Sequence, residues 1–122
     1  MTTYKNFVQS KVKPGQGILD SLTPEKCELW HMATGVSTEA GELLDPVKKH
    51  VCYNKPLDVT NIREECGDLL FYIQGVLNIL DVELSEVIDE NVDKLSKRYK
   101  GKYSDKEAHD RADKLENQEL HD

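Results

Sequence analysis

The chain has 122 residues, and its 23 acidic against 16 basic side chains leave a formal net charge of −7 at pH 7. This length predicts one domain over residues 1–122, and the acidic balance argues against nucleic-acid polymers and anionic membranes as partners. Three cysteines without a Cys-x-x-Cys pair indicate neither a disulfide framework nor a zinc site, so we expect a reducing cytoplasm. We also expect neither a membrane span nor a signal peptide, because no apolar run is long enough and the N-terminus is polar.

The first half of the chain predicts a short helix followed by a long one. Residues 2–12 can form a helix, which the Pro- and Gly-containing segment 13–17 then breaks. A long helix is predicted over about 23–51, because it opens with Thr-Pro-Glu and its apolar residues repeat every three or four positions. Pro46 lies inside this span, so we expect a kink or break near Asp45, which could cap a restarted segment.

The second half of the chain predicts two further helices. The first spans about residues 58–80, with Asp58 or Thr60 as its N-cap. A short turn leads to the last main helix, over about 84–99, whose apolar stripe again repeats at three and four residues. Residues 101–122 form a polar C-terminal arm that could be helical.

The pattern as a whole predicts an all-α fold, a bundle of about four helices with its core at about 20–100. No run of residues reads as a set of strands. The helix over 58–80 is apolar on nearly every side, which is typical of a helix surrounded by protein. A domain of this size has too few helices to surround it, so we infer a homo-oligomer with this helix near the interface.

Two motifs of one design each place two acids three positions apart around a small residue and a glycine: Glu39-Ala40-Gly41-Glu42 and Glu65-Cys66-Gly67-Asp68. On helices this spacing puts both acids on one face, and antiparallel pairing would bring all four carboxylates together. Like charges at that range require a cation, and an all-oxygen ligand set favours Mg²⁺ or Mn²⁺. Glycine costs a helix about 1 kcal/mol relative to alanine, so its recurrence indicates close approach of the two backbones. The alternative is a solvated acidic face.

Asn91, Lys94 and Arg98 lie together along one edge of the last main helix. Basic residues near a helix C-terminus are favourable for the helix dipole alone, which is the simpler explanation. Beside a metal site, however, such an edge suits phosphate oxygens, which arginine binds as a fork and lysine as a point charge. We therefore predict that these three residues bind phosphate.

Three further residues are candidates for a base or sugar pocket. His31 lies two helical turns before Glu39, where it either packs in the core or lines a ligand pocket. Trp30 and Tyr99 either belong to the core or an interface, or stack on a base. The residues alone leave these alternatives open.

The ordered set Glu39-x-x-Glu42, Glu65-x-x-Asp68 and Asn91-x-x-Lys94-Leu95-x-x-Arg98-Tyr99 resembles the signature of the MazG-like all-α nucleoside triphosphate pyrophosphohydrolases. The likeness covers roughly residues 27–112 and is closest to the small single-domain members. It implies Mg²⁺-dependent cleavage of a (deoxy)nucleoside triphosphate between the α and β phosphates, and a dimer or dimer-of-dimers. Carried over by position, the four acids would hold the ions, and the polar residues of the last helix would contact the triphosphate.

Two other classes of protein also use acidic helices. A di-iron carboxylate bundle needs Glu-x-x-His on two helices, and of the four histidines His31 alone lies three residues after a glutamate, Glu28, so the second motif is missing. A non-enzymatic metal-binding helical interaction module would explain the apolar helix and the acidic surface. It would not explain four convergent acids beside a basic edge, so we favour the enzyme.

Overall fold

The computed structural model describes residues 2–101 and 103–111. These residues form helices and no strand, which confirms the all-α class; the helices are α1 (Tyr4–Lys11), α2 (Gly15–Ser21), α3 (Pro24–Cys52), α4 (Val59–Leu80), α5 (Leu84–Arg98) and α6 (Asp105–Asp110). Within this described part, none of the helices combines the length and apolarity needed to cross a membrane. The chain divides into two compact units, Met1–Ile79 and Leu80–Asp122. The single domain therefore stays a prediction.

Helices α1 and α3 begin at threonine caps. The Thr3 hydroxyl accepts a hydrogen bond from the Asn6 amide, and the Thr23 hydroxyl accepts one from the Lys26 amide, each at 3.2 Å. Pro24 takes the first position of α3, where a missing N–H costs the helix nothing. The predicted start of the long helix is thus confirmed.

Helix α2 was not predicted, because its segment contains the proline and glycines that usually break a helix. Here Pro14 lies at the N-cap, outside the helix, and its carbonyl accepts hydrogen bonds from the amides of Gly17 and Ile18. Within the helix, the Gln16 side chain donates to the Asp20 carboxylate at 2.7 Å, one turn later. The first helix therefore ends before this segment, as predicted, and Pro14 also starts a second short helix.

Of the kink or break predicted near Asp45, the break does not occur, because α3 continues through Pro46 to Cys52; the kink stays a prediction. Proline has no N–H, so the carbonyl of Glu42, four residues earlier, loses its helical donor. Asp45 does not cap a restarted segment; its carboxylate pairs with Lys49 at 2.7 Å across the proline. Pro46 is buried in the first unit.

A tight turn reverses the chain between α3 and α4. The Lys49 carbonyl accepts a hydrogen bond from the Lys55 amide at 3.1 Å, and Asn54 between them takes the left-handed conformation at φ 51°. The Asp58 carboxylate then accepts a hydrogen bond from the Asn61 amide at 3.1 Å. Asp58 is therefore the cap of the second long helix, one of the two predicted candidates.

Helices α3 and α4 contact each other at two glycines. Gly35 of α3 is buried against the ring of Tyr72, and Gly75 of α4 lies against the side chain of Met32. A Cβ at either glycine would overlap the opposing side chain. Because the residue numbers rise along one helix as they fall along the other, the pair is antiparallel, as the sequence predicts.

The two glycines of the acidic motifs do not mark this close approach. A Cβ at Gly41 or Gly67 would meet no atom of the described chain within 4 Å. The prediction that these glycines bring the two backbones together is therefore wrong within this chain. Close approach occurs instead at Gly35 and Gly75, where the Tyr72 ring and the Met32 side chain lie against the opposite helix.

Apolar side chains of the first unit are largely exposed. Leu77 is the one hydrophobic residue that is buried among the described residues, at 8% exposure. On α4, Leu70 and Phe71 remain 59% and 66% exposed. The prediction that this helix is surrounded by protein is not met by the chain alone, and oligomerisation stays a prediction.

The second unit contains α5, α6 and the turn before them. Asp81 takes the left-handed conformation at φ 55° in the predicted turn that precedes α5. The Ser104 hydroxyl caps α6 by accepting from the Glu107 amide at 3.1 Å, and the Glu107 carboxylate accepts from the Lys100 amide. The predicted polar arm is thus helical at its start, and its residues 112–122 lie outside the described part.

Candidate functional site

Three acids from the two long helices meet in one cluster. Glu39 of α3 and Glu65 and Asp68 of α4 each place one carboxylate oxygen within 4.8 Å of the other two. Glu39 and Glu65 are half-buried, and Asp68 is exposed. The antiparallel pairing explains the meeting, because Glu39 follows Gly35 by one turn while Asp68 precedes Tyr72 by one turn.

Glu42, the fourth predicted acid, lies outside this cluster and is exposed. Spacing alone does not explain this, because Glu65 and Asp68 are also three residues apart and both belong to the cluster. Glu42 is still near enough for its negative charge to raise the pKa of Glu65. The four predicted acids therefore form a cluster of three with one more charge beside it.

Glu65 is the most perturbed group of the cluster. Its pKa is raised from 4.5 to about 7, first by a hydrogen bond with the Glu39 carboxyl, then by burial, and then by the charges of Glu39, Asp68 and Glu42. Its Oε2 atom is buried and has no hydrogen-bond partner among the described residues. An unsatisfied carboxylate oxygen among hard oxygen donors fits a divalent cation such as Mg²⁺.

The raised pKa of Glu65 predicts the pH dependence of the metal-free protein. Between pH 4.5 and about 7 the folded chain holds a proton that the unfolded chain releases. The stabilisation from this proton is fully present below pH 4.5 and is lost as the pH rises through about 7. We expect the melting temperature in EDTA to fall across this range, as measured by thermal unfolding at a series of pH values.

Two isosteric variants separate this effect from the titration of other groups. Glu65→Gln removes the titrating carboxyl, so its melting temperature should fall less steeply with pH than that of the wild type. Glu64→Gln changes the adjacent exposed acid, which lies outside the cluster, and should keep the wild-type slope. Equal slopes in the wild type and Glu65→Gln would contradict the prediction.

Two of the three predicted phosphate-binding residues line separate cavities of the second unit, and Lys94 lines neither of these cavities. Lys94 and Arg98 are half-buried on α5, and Asn91 is exposed. Asn91 lines a cavity of about 430 Å³, whose wall includes Tyr99. Arg98 lines a second cavity of about 280 Å³, which carries three more cations: Lys97, Lys100 and Lys106. Asn91 and Arg98 thus face different cavities, although they share one helix.

Trp30 and His31 line one open cavity on the first unit. It measures about 460 Å³, Trp30 is 73% exposed in its wall, and the His31 ring meets the Tyr72 ring edge-on at 6.5 Å. Sequence reasoning missed three other residues that line it: Cys27, Glu28 and Thr34. Their spacing of three and four residues around Trp30 and His31 is the helical signal that could have found them.

Tyr99, the third residue predicted for the base pocket, lies in the second unit. Its ring is 5.1 Å from that of Tyr103, and the Arg98 guanidinium lies 5.9 Å from its centre. Tyr99 lines the same cavity as Asn91. The predicted pocket residues therefore divide between two cavities, one in each unit.

Comparison with known proteins identifies the family. Residues 29–102 match the family model of the MazG nucleotide pyrophosphohydrolase domain, and this segment contains every predicted site residue. The chain is also similar to the "Gene 37 protein" of Mycobacterium phage L5, with 34% identity over 92 residues, covering 71% of this chain and 76% of the phage protein. No solved structure gave a significant match. Because the family match spans more than half of the sequence, the chain belongs to the MazG nucleotide pyrophosphohydrolase domain family.

Proposed function

We propose that this chain hydrolyses a (deoxy)nucleoside triphosphate between the α and β phosphates, releasing the monophosphate and pyrophosphate. The role would be nucleotide pool control or house-cleaning in the cytoplasm. The observation that carries the proposal is the cluster of Glu39, Glu65 and Asp68, within which one buried carboxylate oxygen has no partner. Membership of the MazG family supports a nucleotide pyrophosphohydrolase reaction.

The acids would hold the divalent cation, Mg²⁺ or Mn²⁺ as its substitute. Glu39, Glu65 and Asp68 supply oxygen donors from two helices, and Glu42 adds negative charge beside them. When bound, the cation neutralises phosphate charge and makes a water molecule more acidic. Glu65, whose pKa is raised, would give up its proton on loading, because carboxylates bind metal in the ionised form.

A carboxylate would also accept the proton of the attacking water. Glu39 and Glu42 are our candidates for this general base. Glu42 is exposed and lies outside the cluster of three, so its oxygens are available for a proton. No covalent intermediate with the protein is needed, because phosphoanhydride hydrolysis depends on positioning and charge stabilisation.

The polar residues of α5 would bind the triphosphate. Lys94 and Arg98 would stabilise the negative charge that develops on the departing pyrophosphate, and Asn91 would donate to a phosphate oxygen. The cavity that Arg98 lines carries three lysines and two acids, Glu107 and Asp110, so its wall has more cations than anions on a chain of net charge −7. That contrast supports a role in binding an anion.

Trp30 and His31 would contact the base and sugar. The exposed indole of Trp30 offers a flat apolar surface for stacking, and the open cavity of about 460 Å³ leaves room for a base. Tyr99, which lines a cavity with Asn91, is also proposed to contact the base or sugar. The sugar is proposed to be a deoxyribose.

The chain is further proposed to act as a homo-oligomer, a dimer or dimer-of-dimers. The exposed leucine and phenylalanine on α4 support this, because burying large apolar side chains drives association. We expect Phe71→Glu to shift the mass measured by light scattering toward a single chain. Gln74→Glu, which adds the same charge at an exposed polar position of α4, should keep the wild-type mass. A wild-type protein that is already monomeric would contradict the proposal.

A turnover panel tests the reaction. Purified protein with Mg²⁺ is offered each canonical triphosphate and several modified ones, and the products are separated by anion exchange. We expect monophosphate and pyrophosphate, and loss of both products in Glu42→Ala and Asp68→Ala variants that still fold. Diphosphate with orthophosphate would show that the proposed cleavage position is wrong.

The panel also tests the alternative, a non-enzymatic metal-binding interaction module. Such a module would bind Mg²⁺ and melt at a higher temperature with the metal, yet turn over no triphosphate. This combination of results would reject the enzyme, and metal-dependent product formation would reject the module.

A further inference from the structure

The seam between α3 and α4 has a regular order of contacts. Met32 lies against Gly75 at one end, Gly35 lies against Tyr72 in the middle, and the acid cluster follows one turn later. The Gly35–Tyr72 contact is therefore the packing contact nearest to the carboxylates among those that the two glycines make. Only one helical turn separates this contact from the acids on each helix, so a change in helix spacing here would also change the distances between the carboxylates.

We infer that Gly35 is a positioning residue for the acid cluster: its missing side chain lets the Tyr72 ring lie directly against α3, and this contact sets the helix spacing at which the three carboxylates meet. The role in metal binding rests on the proposed function, whereas the role in spacing does not. A methyl group at Gly35 would overlap the ring, so one of the two helices must move.

Two aromatic neighbours restrict the movement of the Tyr72 ring. His31 meets Tyr72 edge-on at 6.5 Å between ring centres, and Phe71 meets it edge-on at 5.2 Å. Gly75 provides the contrast, because the atoms facing it belong to the flexible side chain of Met32. Methionine repacks readily, so a methyl group at Gly75 is absorbed by the side chain and leaves the helices in place.

The test compares Gly35→Ala with Gly75→Ala, the same methyl addition on either side of one seam. We expect Mn²⁺ to bind Gly35→Ala about 10-fold or more weakly than the wild type, because a metal site tolerates little displacement of its ligands. Gly75→Ala should bind Mn²⁺ within about 3-fold of the wild type, since its methyl displaces a flexible side chain. Isothermal titration calorimetry of folded, metal-free protein gives both affinities without turnover.

Crystal structures of the two variants give a second measurement that needs no metal. We expect the carboxylate oxygens of Glu39, Glu65 and Asp68 to separate in Gly35→Ala and to stay together in Gly75→Ala. Carboxylates still clustered in Gly35→Ala, or equal Mn²⁺ affinities in the two variants, would overturn the inference. A wild type that binds no Mn²⁺ would reject the proposed metal site, and the oxygen separations would still decide the role of Gly35.

A core substitution controls for loss of stability. Should Gly35→Ala fail to fold, Tyr72→Leu removes the ring and is compared with Leu77→Ala, which truncates the buried leucine more than one turn away. If the Gly35–Tyr72 contact positions the acids, Tyr72→Leu should bind Mn²⁺ more weakly than Leu77→Ala. This comparison applies where both variants lose the same amount of melting temperature. If affinity follows stability alone in both variants, the contact is merely structural and the inference is wrong.

Discussion

Glu65→Gln is expected to lower the turnover number for Mg²⁺-dependent triphosphate hydrolysis by about 10³-fold. Glutamine keeps the shape of the side chain but removes the negative charge that holds a divalent cation. Glu65 has a buried carboxylate oxygen without a hydrogen-bond partner. Its replacement therefore removes the oxygen that is most available to bind the metal ion. Steady-state kinetics with the best triphosphate of the panel, over a series of Mg²⁺ concentrations, measures the effect.

This substitution also reports on folding. The carboxyl of Glu65 is held beside Glu39 and Asp68, so a neutral side chain relieves repulsion at high pH. Above pH 7 the metal-free variant should therefore melt at a higher temperature than the wild type, while its activity is lost. Glu64→Gln, the matched change outside the cluster, should retain wild-type turnover. Undiminished activity in Glu65→Gln would reject the metal site.

Lys94→Ala is expected to lower kcat/KM by about 10²-fold. The proposed role of this half-buried lysine is to stabilise charge on the departing pyrophosphate, and alanine leaves that charge without its donor. The affinity for Mn²⁺ without nucleotide should stay at the wild-type value, because the acids of the first unit are unchanged. Comparing nucleotide turnover with metal titration separates loss of phosphate binding from damage to the metal site.

Lys5→Ala is the control for this prediction. Lys5 is exposed on α1 and is not among the residues proposed to bind the metal or the nucleotide. Removing it subtracts the same charge from the chain but leaves the residues with the proposed roles intact. We expect turnover close to that of the wild type. Equal losses in both lysine variants would assign the effect to overall charge instead of a specific contact.

Local sequence patterns predict most of this fold. Threonine and aspartate caps, with an apolar repeat between them, locate both long helices and their antiparallel pairing. The same periodicity brings Glu39, Glu65 and Asp68 together, because acids at matching heights on paired helices must meet. Glu42 lies outside the cluster, although its spacing from Glu39 equals that of Asp68 from Glu65. Which acids reach the seam depends on how the two helices are rotated, which sequence spacing does not specify.

The incorrect predictions concern long-range packing. Glycine in the acidic motifs and glycine at position 35 look alike in the sequence, and the ring that makes Gly35 necessary comes from α4, some 37 positions away. The chemistry of proline predicts a helix break at Pro46, yet α3 continues through this buried residue. The spacing of Asn91 and Arg98 along one helix edge likewise does not show that they line different cavities, because a cavity is formed by residues that are distant in the sequence.

Helix α3 lacks one backbone hydrogen bond, because Pro46 has no amide proton to donate to the Glu42 carbonyl. Local unfolding starts where the fewest hydrogen bonds must break, so we expect the end of α3 after Pro46 to unfold separately from the rest of the helix. Its amide protons should exchange with deuterium in solvent sooner than those around Glu39. The exposed Asp45–Lys49 pair spans the gap but holds it only weakly. The end of α3 can therefore fray and reform while the carboxylates between the two long helices stay together.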